Sequence, residues 1–317
     1  MFYRGEKAKN ISFPLGGIGT GCIGLTGNGE LIDWEIFNRP NKNTRNGYSH
    51  FAIKATQNGK SVAKVLHGDT KEHLLGTPCA SSGCYGFGYG PRGNSLAGFP
   101  HFNNVEFEGN FPIANVVFSD DNFPAIARLC AFNPFIPHDD FNSSLPAAFF
   151  EWEIENITDE KLEVSLALTV CNPSKSTHNE KISVDNFSGV YLGSEDINDD
   201  EIDYLDISVM TDCPATAIQE YWYRGALRDG CTTYWNNFKT QTRLCERSYD
   251  KPLRNDHGVV ASYIELEPKE IKKVRFVIAW NVPNAYNYWS YAEIDKSLVW
   301  KNYYATQFKN SIASSSS

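Results

Sequence analysis

Residues 14–43 read PLGGIGTGCIGLTGNGELIDWEIFNRPNKN, seven glycines followed by an aromatic and charged alternation. Inside it, Gly19-Thr20-Gly21-Cys22-Ile23-Gly24 fits G-x-G-x-x-G, the fingerprint in which bare backbone lets a pyrophosphate approach a helix N-terminus. That chemistry needs a helix opening at the third glycine. Leu25-Thr26-Gly27-Asn28-Gly29 follows instead, and its glycines and asparagine favour turns. Further on, Ile32, Trp34 and Ile36 alternate with Asp33 and Glu35, the period of a half-buried strand. Asn28-Gly29 suits a tight hairpin. The stretch predicts a glycine-rich β-edge feeding a strand, not a nucleotide site.

Outward from there the same period recurs. Phe51, Ile53 and Ala55 share one face and His50 and Lys54 the other, before a turn at Asn58-Gly59. Strands are expected at residues 105–108, 114–118 and 125–132. Phe150, Trp152 and Ile154 alternate with Glu151, Glu153 and Glu155. After Asn156-Ile157-Thr158-Asp159, Leu162, Val164, Leu166, Leu168 and Val170 alternate with Glu163, Ser165 and Thr169. The two runs predict a hairpin with one buried and one wet face. A second hairpin is expected from residues 259–266 and 272–280 around Glu267-Pro268-Lys269-Glu270. Between residues 229 and 244 the period changes: Cys231, Tyr234, Trp235 and Phe238 fall on one helical face, expected to be core. Trp300 to Tyr304 begins a last helical segment. Residues 67–103 are too glycine-rich for a regular element, so they predict a long surface loop, a candidate cleft wall or domain contact. The fold class expected is all-β, mainly antiparallel: a large β-sandwich with long loops and one or two short helices.

Composition narrows the function. The chain of 317 residues carries a net charge of −9, which disfavours a nucleic-acid groove, and it shows no apolar leader or membrane-length run. A cytoplasmic protein is expected. The eight cysteines are dispersed in a chain large enough to fold without disulfides, so free thiols are expected, and the four N-x-S/T sequons read as chance. Asp196-x-Asn198-x-Asp200 opens like a calcium loop, but Glu201 and Ile207 stand where glycine and a bidentate glutamate belong. No metal or cofactor is implied. There is no G-x-S-x-G elbow, the seven histidines form no H-E-x-x-H, and the glutamates at 151, 153 and 155 read as a solvated strand face.

Several ordered stretches carry a family resemblance. Pro14-Leu15-Gly16-Gly17-Ile18-Gly19-Thr20-Gly21 and Asp33-Trp34-Glu35-Ile36-Phe37-Asn38-Arg39-Pro40 resemble the opening of the N-terminal domain of glycoside hydrolase family 116. The resemblance continues through Gly98-Phe99-Pro100-His101-Phe102, Asn133-Pro134-Phe135-Ile136-Pro137-His138-Asp139, Ser144-Leu145-Pro146-Ala147-Ala148, Trp222-Tyr223-Arg224-Gly225 and Phe276-Val277-Ile278-Ala279-Trp280. That family contains β-glucosidases, β-xylosidases and the non-lysosomal glucosylceramidase. The resemblance implies a retaining mechanism with both carboxylates in a C-terminal (α/α)6 helical domain, against which the β-sandwich packs. Residues 1–290 are then the sandwich and 291–317 the start of a helical linker. No residue of this sequence inherits a catalytic role, and a carbohydrate or glycolipid is met through the C-terminal domain. Trp34, Asn38, Arg39 and Arg224 fit a docking wall, because arginine beside aromatics is enriched at interface centres. His101 and His138 lie in family-like motifs and join them as candidate cleft residues. The alternative is a stand-alone carbohydrate-binding module stacking sugars on Tyr85, Phe87 and Tyr89.

Overall fold

The computed structural model describes residues 1–8, 10–69, 93–226, 228–290 and 297–315. Tyr85, Phe87 and Tyr89, the aromatics of the binding-module reading, lie outside the described residues. In chain order the strands are β1 (Tyr3–Arg4), β2 (Ser12–Leu15), β3 (Ile23–Thr26), β4 (Leu31–Ile32), β5 (His50–Gln57), β6 (Lys60–Val65) and β7 (Asn104–Asn110). They continue with β8 (Ile113–Ser119), β9 (Ala125–Phe132), β10 (Ala147–Asn156), β11 (Leu162–Cys171), β12 (Thr177–Val184), β13 (Phe187–Ser194), β14 (Asp206–Thr211) and β15 (Thr216–Gln219). The last are β16 (His257–Leu266), β17 (Ile271–Asn281), β18 (Asn284–Tyr286) and β19 (Val299–Lys301). All pairings are antiparallel, in a nine-stranded sheet ordered β1-β7-β8-β9-β10-β17-β14-β13-β12, a five-stranded sheet ordered β15-β16-β11-β5-β6 and two minor sheets, β2-β3-β4 and β18-β19. The all-β sandwich is as expected.

The nine- and five-stranded sheets face each other across one aromatic core. The ring of Phe51 on β5 lies 5.1 Å from Phe150, 5.1 Å from Trp152 and 5.6 Å from Phe276 on the opposite sheet. Both expected long hairpins are overturned by this arrangement. β10 pairs with β9 and β17, whereas β11 pairs with β5 and β16, so residues 157–161 and 267–270 are arches that carry the chain from one sheet to the other. Alternation is identical for a hairpin and an arch, since both leave one apolar face per strand. The connection differs: β5 and β6 do form a hairpin, through Asn58-Gly59 with both residues at positive φ (52° and 74°).

Asn156 closes both arches. Its buried amide donates to Glu160 O (2.7 Å), Glu267 O (3.0 Å) and Leu266 O (3.3 Å), while its Oδ1 accepts from Thr158 N (2.9 Å).

The outer faces are covered unequally. Helix Asp229–Thr240 turns Cys231, Tyr234, Trp235 and Phe238 onto Ala52, Val65, Ala167, Val259 and Ala261 of the small sheet, which confirms the aromatic stripe as core. It also buries Ser165 and Thr169, so the expected wet face of β11 is dry except at Glu163. On the large sheet, helix Ser311–Ser315 packs against β14 and β17, where Ser208 Oγ donates to Ser311 O (3.0 Å), and Tyr304 of helix Tyr303–Gln307 clusters with Leu145 and Phe149. The remaining outer face is an ion-pair ladder in which Glu151 meets Lys273 (2.6 Å) and Arg275 (2.9 Å) and Glu155 meets Arg128 (2.7 Å). The glutamate row is therefore a solvated strand face.

Two local expectations change. Strand character stops at Ile32: Asp33 turns left-handed (φ 49°), and Asp33, Trp34 and Ile36 are all buried, which no alternating strand allows. Residues 299–301 are strand β19, paired with β18, and the helix begins only at Tyr303.

Asn156→Ala should lower stability by about 2–4 kcal/mol, because buried carbonyls lose their donor, whereas Glu153→Gln on the solvated ladder should cost under about 0.5 kcal/mol. Urea titration of the two variants checks this. Equal midpoints would remove Asn156 from its place as the arch clamp.

Candidate functional site

The glycine loop is a junction of backbones. Asn133 accepts from Gly16 N (2.6 Å) and donates to Pro14 O (2.9 Å), while Gly17 N reaches Leu145 O (3.1 Å) and Ile18 N reaches Ser143 O (2.7 Å). Trp280, fully buried, donates its indole N–H to Thr20 O (2.8 Å). A Cβ at Gly17 would stand 2.4 Å from Leu145 O, and Gly21 combines φ +83° with a virtual Cβ 2.4 Å from Glu35 O. Only glycine fits such approaches. The amides of Gly16, Gly17 and Ile18 are spent on the protein, and strand β3 stands where a dinucleotide site needs a helix.

From this junction the chain enters residues 33–47, which wrap into a wall. Asp33 accepts from Asn43 N (2.6 Å) and Ser12 Oγ (2.8 Å), and Asn41 donates to Trp34 O (2.9 Å). Asn38 sits at φ 57°, a conformation asparagine tolerates better than most residues. Its amide donates to Val282 O (3.1 Å) and Asn284 O (2.9 Å) and accepts from Asn302 (2.7 Å). Asn284 in turn donates to Asp199 O (2.9 Å) and Glu201 O (2.7 Å), pinning the acidic loop opposite.

Between these segments lies a cleft of about 510 Å³. Trp34, Phe37, Asn38 and Arg39 line one side, Tyr204 and Leu205 another, and Tyr286 and Tyr288 stand at the β18 end. Two of its cations are occupied: Arg45 pairs with Glu30 (Nε–Oε2 2.9 Å) and Lys175 with Asp203 (2.5 Å). Arg39 is exposed and makes no hydrogen bond or ion pair among the described residues. Asp203 is the sole carboxylate among the described lining residues, and it is already salt-bridged. Behind the cleft, burial raises the Asp206 carboxyl even though Ser311 and Asn281 hydrogen-bond to it. No group of three or more His, Cys, Asp or Glu able to hold a metal ion occurs among the described residues.

Of the six residues singled out in the sequence, the structure brings Trp34, Asn38 and Arg39 together at the cleft. His101 lies elsewhere, its Nε2 2.7 Å from Asp69 Oδ1 and its Nδ1 2.9 Å from Phe99 O. His138 is exposed at φ 67° in the loop before the short helix Asp140–Ser143. Arg224 is closed on itself: it grips Asp256 with Nε (2.9 Å) and Nη2 (2.7 Å), donates to Lys251 O (2.7 Å), and lies over the rings of Tyr249 and Tyr221. The hydrogen bonds to Asp256 hold its guanidinium above its ordinary pKa. Sequence reading missed Tyr204, Tyr286 and Tyr288, which belong to no alternating pattern; the run Asn284-Ala285-Tyr286-Asn287-Tyr288 carries no signal beyond its aromatic density.

Asn38→Ala should destabilise the chain by about 2–4 kcal/mol through lost hydrogen bonds and a left-handed alanine. Asn38→Gly should recover about 1 kcal/mol of that by removing the backbone conflict. Matched urea curves measure both, and an alanine variant no worse than glycine would contradict the assignment of strain.

Among solved structures, the chain is similar to a human-microbiome protein assigned as a kojibiose phosphorylase (TM-score 0.34, 9% identity, covering 88% of this chain and 25% of that one). It is similar also to a polysaccharide lyase (TM-score 0.32, 9% identity, 88% and 32% covered) and to the Slr1438 protein of Synechocystis sp. PCC 6803 (TM-score 0.35, 9% identity, 86% and 96% covered). The chain thus spans about a quarter of the first and a third of the second, and likeness this distant says nothing of activity. The sequence model of a family described as beta-glucosidase 2, glycosyl-hydrolase family 116 N-term, matches residues 12–317. With nearly its whole length matched, the chain belongs to the N-terminal domain family of glycoside hydrolase family 116.

Proposed function

We propose that this chain is the non-catalytic β-sandwich of a retaining β-glucosidase or glucosylceramidase-like enzyme, and that a C-terminal helical domain performs the hydrolysis. Residues 1–290 form the sandwich and 291–317 lead towards that domain. The observation that carries the reading is the cleft's chemistry. Retaining hydrolysis needs two carboxyl groups about 5–5.5 Å apart, one as nucleophile and one as acid/base. The described lining offers Asp203 alone, held by Lys175. What remains is aromatic surface, amides and the open guanidinium of Arg39, a composition suited to docking.

A second surface supports the same reading. Ile18, Phe111, Phe135, Ile136, Phe141 and Tyr303 are all exposed by 41% or more. Their segments converge: the rings of Phe111 and Phe135 meet (centroids 5.7 Å), the backbone N–H groups of Ile136 and Ile18 both reach Ser143 (2.9 Å and 2.7 Å), and Tyr303 OH donates to Asp140 (3.1 Å). Apolar side chains collected this way mark interaction surfaces. His138 lies on this loop, not in the cleft. The substrate class is a β-glucoside or glucosylceramide-like glycolipid, reached through the catalytic domain. The six described cysteines are free, which fits a reducing, cytoplasmic setting. No helix among the described residues is long and apolar enough to cross a membrane.

The test is turnover of aryl β-glucosides by this chain alone and joined to a family-116 C-terminal domain. No turnover is expected alone and hydrolysis when joined, with Arg39→Glu weakening association about tenfold or more, roughly 1.4 kcal/mol. Turnover by the isolated chain would overturn the division of labour.

A further inference from the structure

Two histidines are buried where helix Asp229–Thr240 meets the small sheet, His50 (1% exposed) and His257 (6%), and a third, His67 (5%), is buried beside His50. His50 and Tyr234 of the helix meet edge to face at 5.7 Å, Trp222 stacks between His257 (4.3 Å) and Tyr234 (4.7 Å), and the rings of His50 and His67 are 6.4 Å apart. His50 donates Nδ1–H to Tyr48 O (2.6 Å), which leaves a lone pair on Nε2. The Nε2 atoms of His50 and His67 are buried and find no hydrogen-bond partner among the described residues. His257 Nε2 accepts from Tyr48 N–H (2.9 Å), so a proton there would confront another donor. Each ring is therefore built to be neutral, and among the described residues none has an acceptor waiting for a second N–H.

We propose that His50, His67 and His257 form an acid-sensitive latch whose protonation frees helix Asp229–Thr240 from the small sheet. Burial opposes charge on all three rings and outweighs the backbone hydrogen bonds at Tyr48, Ser95 and Asn255, which favour it. His50 shares a pocket with Val65, Leu96, Phe99, Cys231, Tyr234 and Trp235. Arg45 and His101 act electrostatically on His67, both against protonation. Arg228 acts on Cys231, and Lys54 sits at the far end of the helix, donating to Gln241 O (2.6 Å). Asp256 is the one acid that favours a charged His257, and it is engaged by Arg224.

Burial pushes all three imidazoles down to about 3 from an ordinary 6.5. A folded pKa below the open-state value means the latch holds fully above pH 6.5 and weakens as pH falls through 6.5 towards 3. Each histidine released on opening multiplies the opening equilibrium about tenfold between pH 7.5 and 5.5, so three give about a thousandfold.

Hydrogen exchange of the intact chain, corrected for intrinsic rates, reads this directly. Opening of the helix amides should rise about a thousandfold between those pH values while strands β10 and β17 stay better protected. His67→Leu or His50→Leu should each reduce the rise to about a hundredfold, and whichever variant folds suffices. A rise below tenfold, helix and central strands opening together at both pH values, or an unchanged pH dependence in the folded variant would each overturn the proposal.

Discussion

Phe51 touches Phe150, Trp152 and Phe276 from the opposite sheet, and the layout of the whole chain follows from that contact. Rings that meet edge to face across a core, from the inner faces of two sheets, cannot belong to strands lying side by side in one ladder. The polypeptide must cross between layers after β10 and again after β16, and both crossings fall at one end of the sandwich. A single amide, Asn156, reaches both because its acceptors include Glu160 of one arch and Glu267 of the other. Once the inner faces are matched, each sheet has an outer face left over. The five-stranded sheet is capped by an aromatic helix, and the nine-stranded sheet is divided between the C-terminal helices and a ladder of ion pairs.

The irregular segments are held by a different means. Asn133 fastens the glycine loop, Asn38 and Asn284 fasten the cleft walls, and Asn41 fastens the turn between them. Loop backbone that leaves solvent must find partners for its N–H and C=O groups. A carboxamide supplies both donors and an acceptor without the cost of desolvating a charge, so it suits such places better than lysine or glutamate. The glycines contribute the complementary freedom. At Gly17 and Gly21 main chain passes main chain so closely that no side chain fits, and stretches far apart in sequence become one junction.

Much of this was legible beforehand. Alternation at Phe150, Trp152 and Ile154 located a strand and its buried face, and Cys231, Tyr234, Trp235 and Phe238 located a helix and its stripe. Alternation reports which way a side chain points, however, and not which strand lies beside it, so arches passed for hairpins. Thr169 looked solvent-facing because its polarity fits a wet face; the helix that covers it is sixty residues away in sequence and leaves no local mark. Trp34 and Ile36 were legible as buried, yet the left-handed turn at Asp33 breaks the strand that their spacing suggested. Another part of the cleft was equally hidden, since Tyr204 and Tyr288 arrive from loops and Tyr286 from the three-residue strand β18, with no periodicity to tie them to residues 34–39.

Arg39 and Arg224 show how far residue type alone carries a site. In the sequence both stand near aromatics and both suit an interface. In the fold Arg224 meets Asp256 bidentately, with side-chain exposures of 16% and 4%, and two tyrosine rings cover its guanidinium. Drawing that cation away would strand a buried carboxylate, a penalty larger than a surface contact returns. Arg39 has no such obligation among the described residues, so all of its donors remain available, and the wall behind it is fixed by Asn38 to the backbone just beyond β17 and to β18. A free fork on a rigid wall loses little freedom when a partner arrives. What separates the two arginines is therefore the presence of one acid, Asp256, brought beside Arg224 by β16 and its preceding loop and brought nowhere near Arg39.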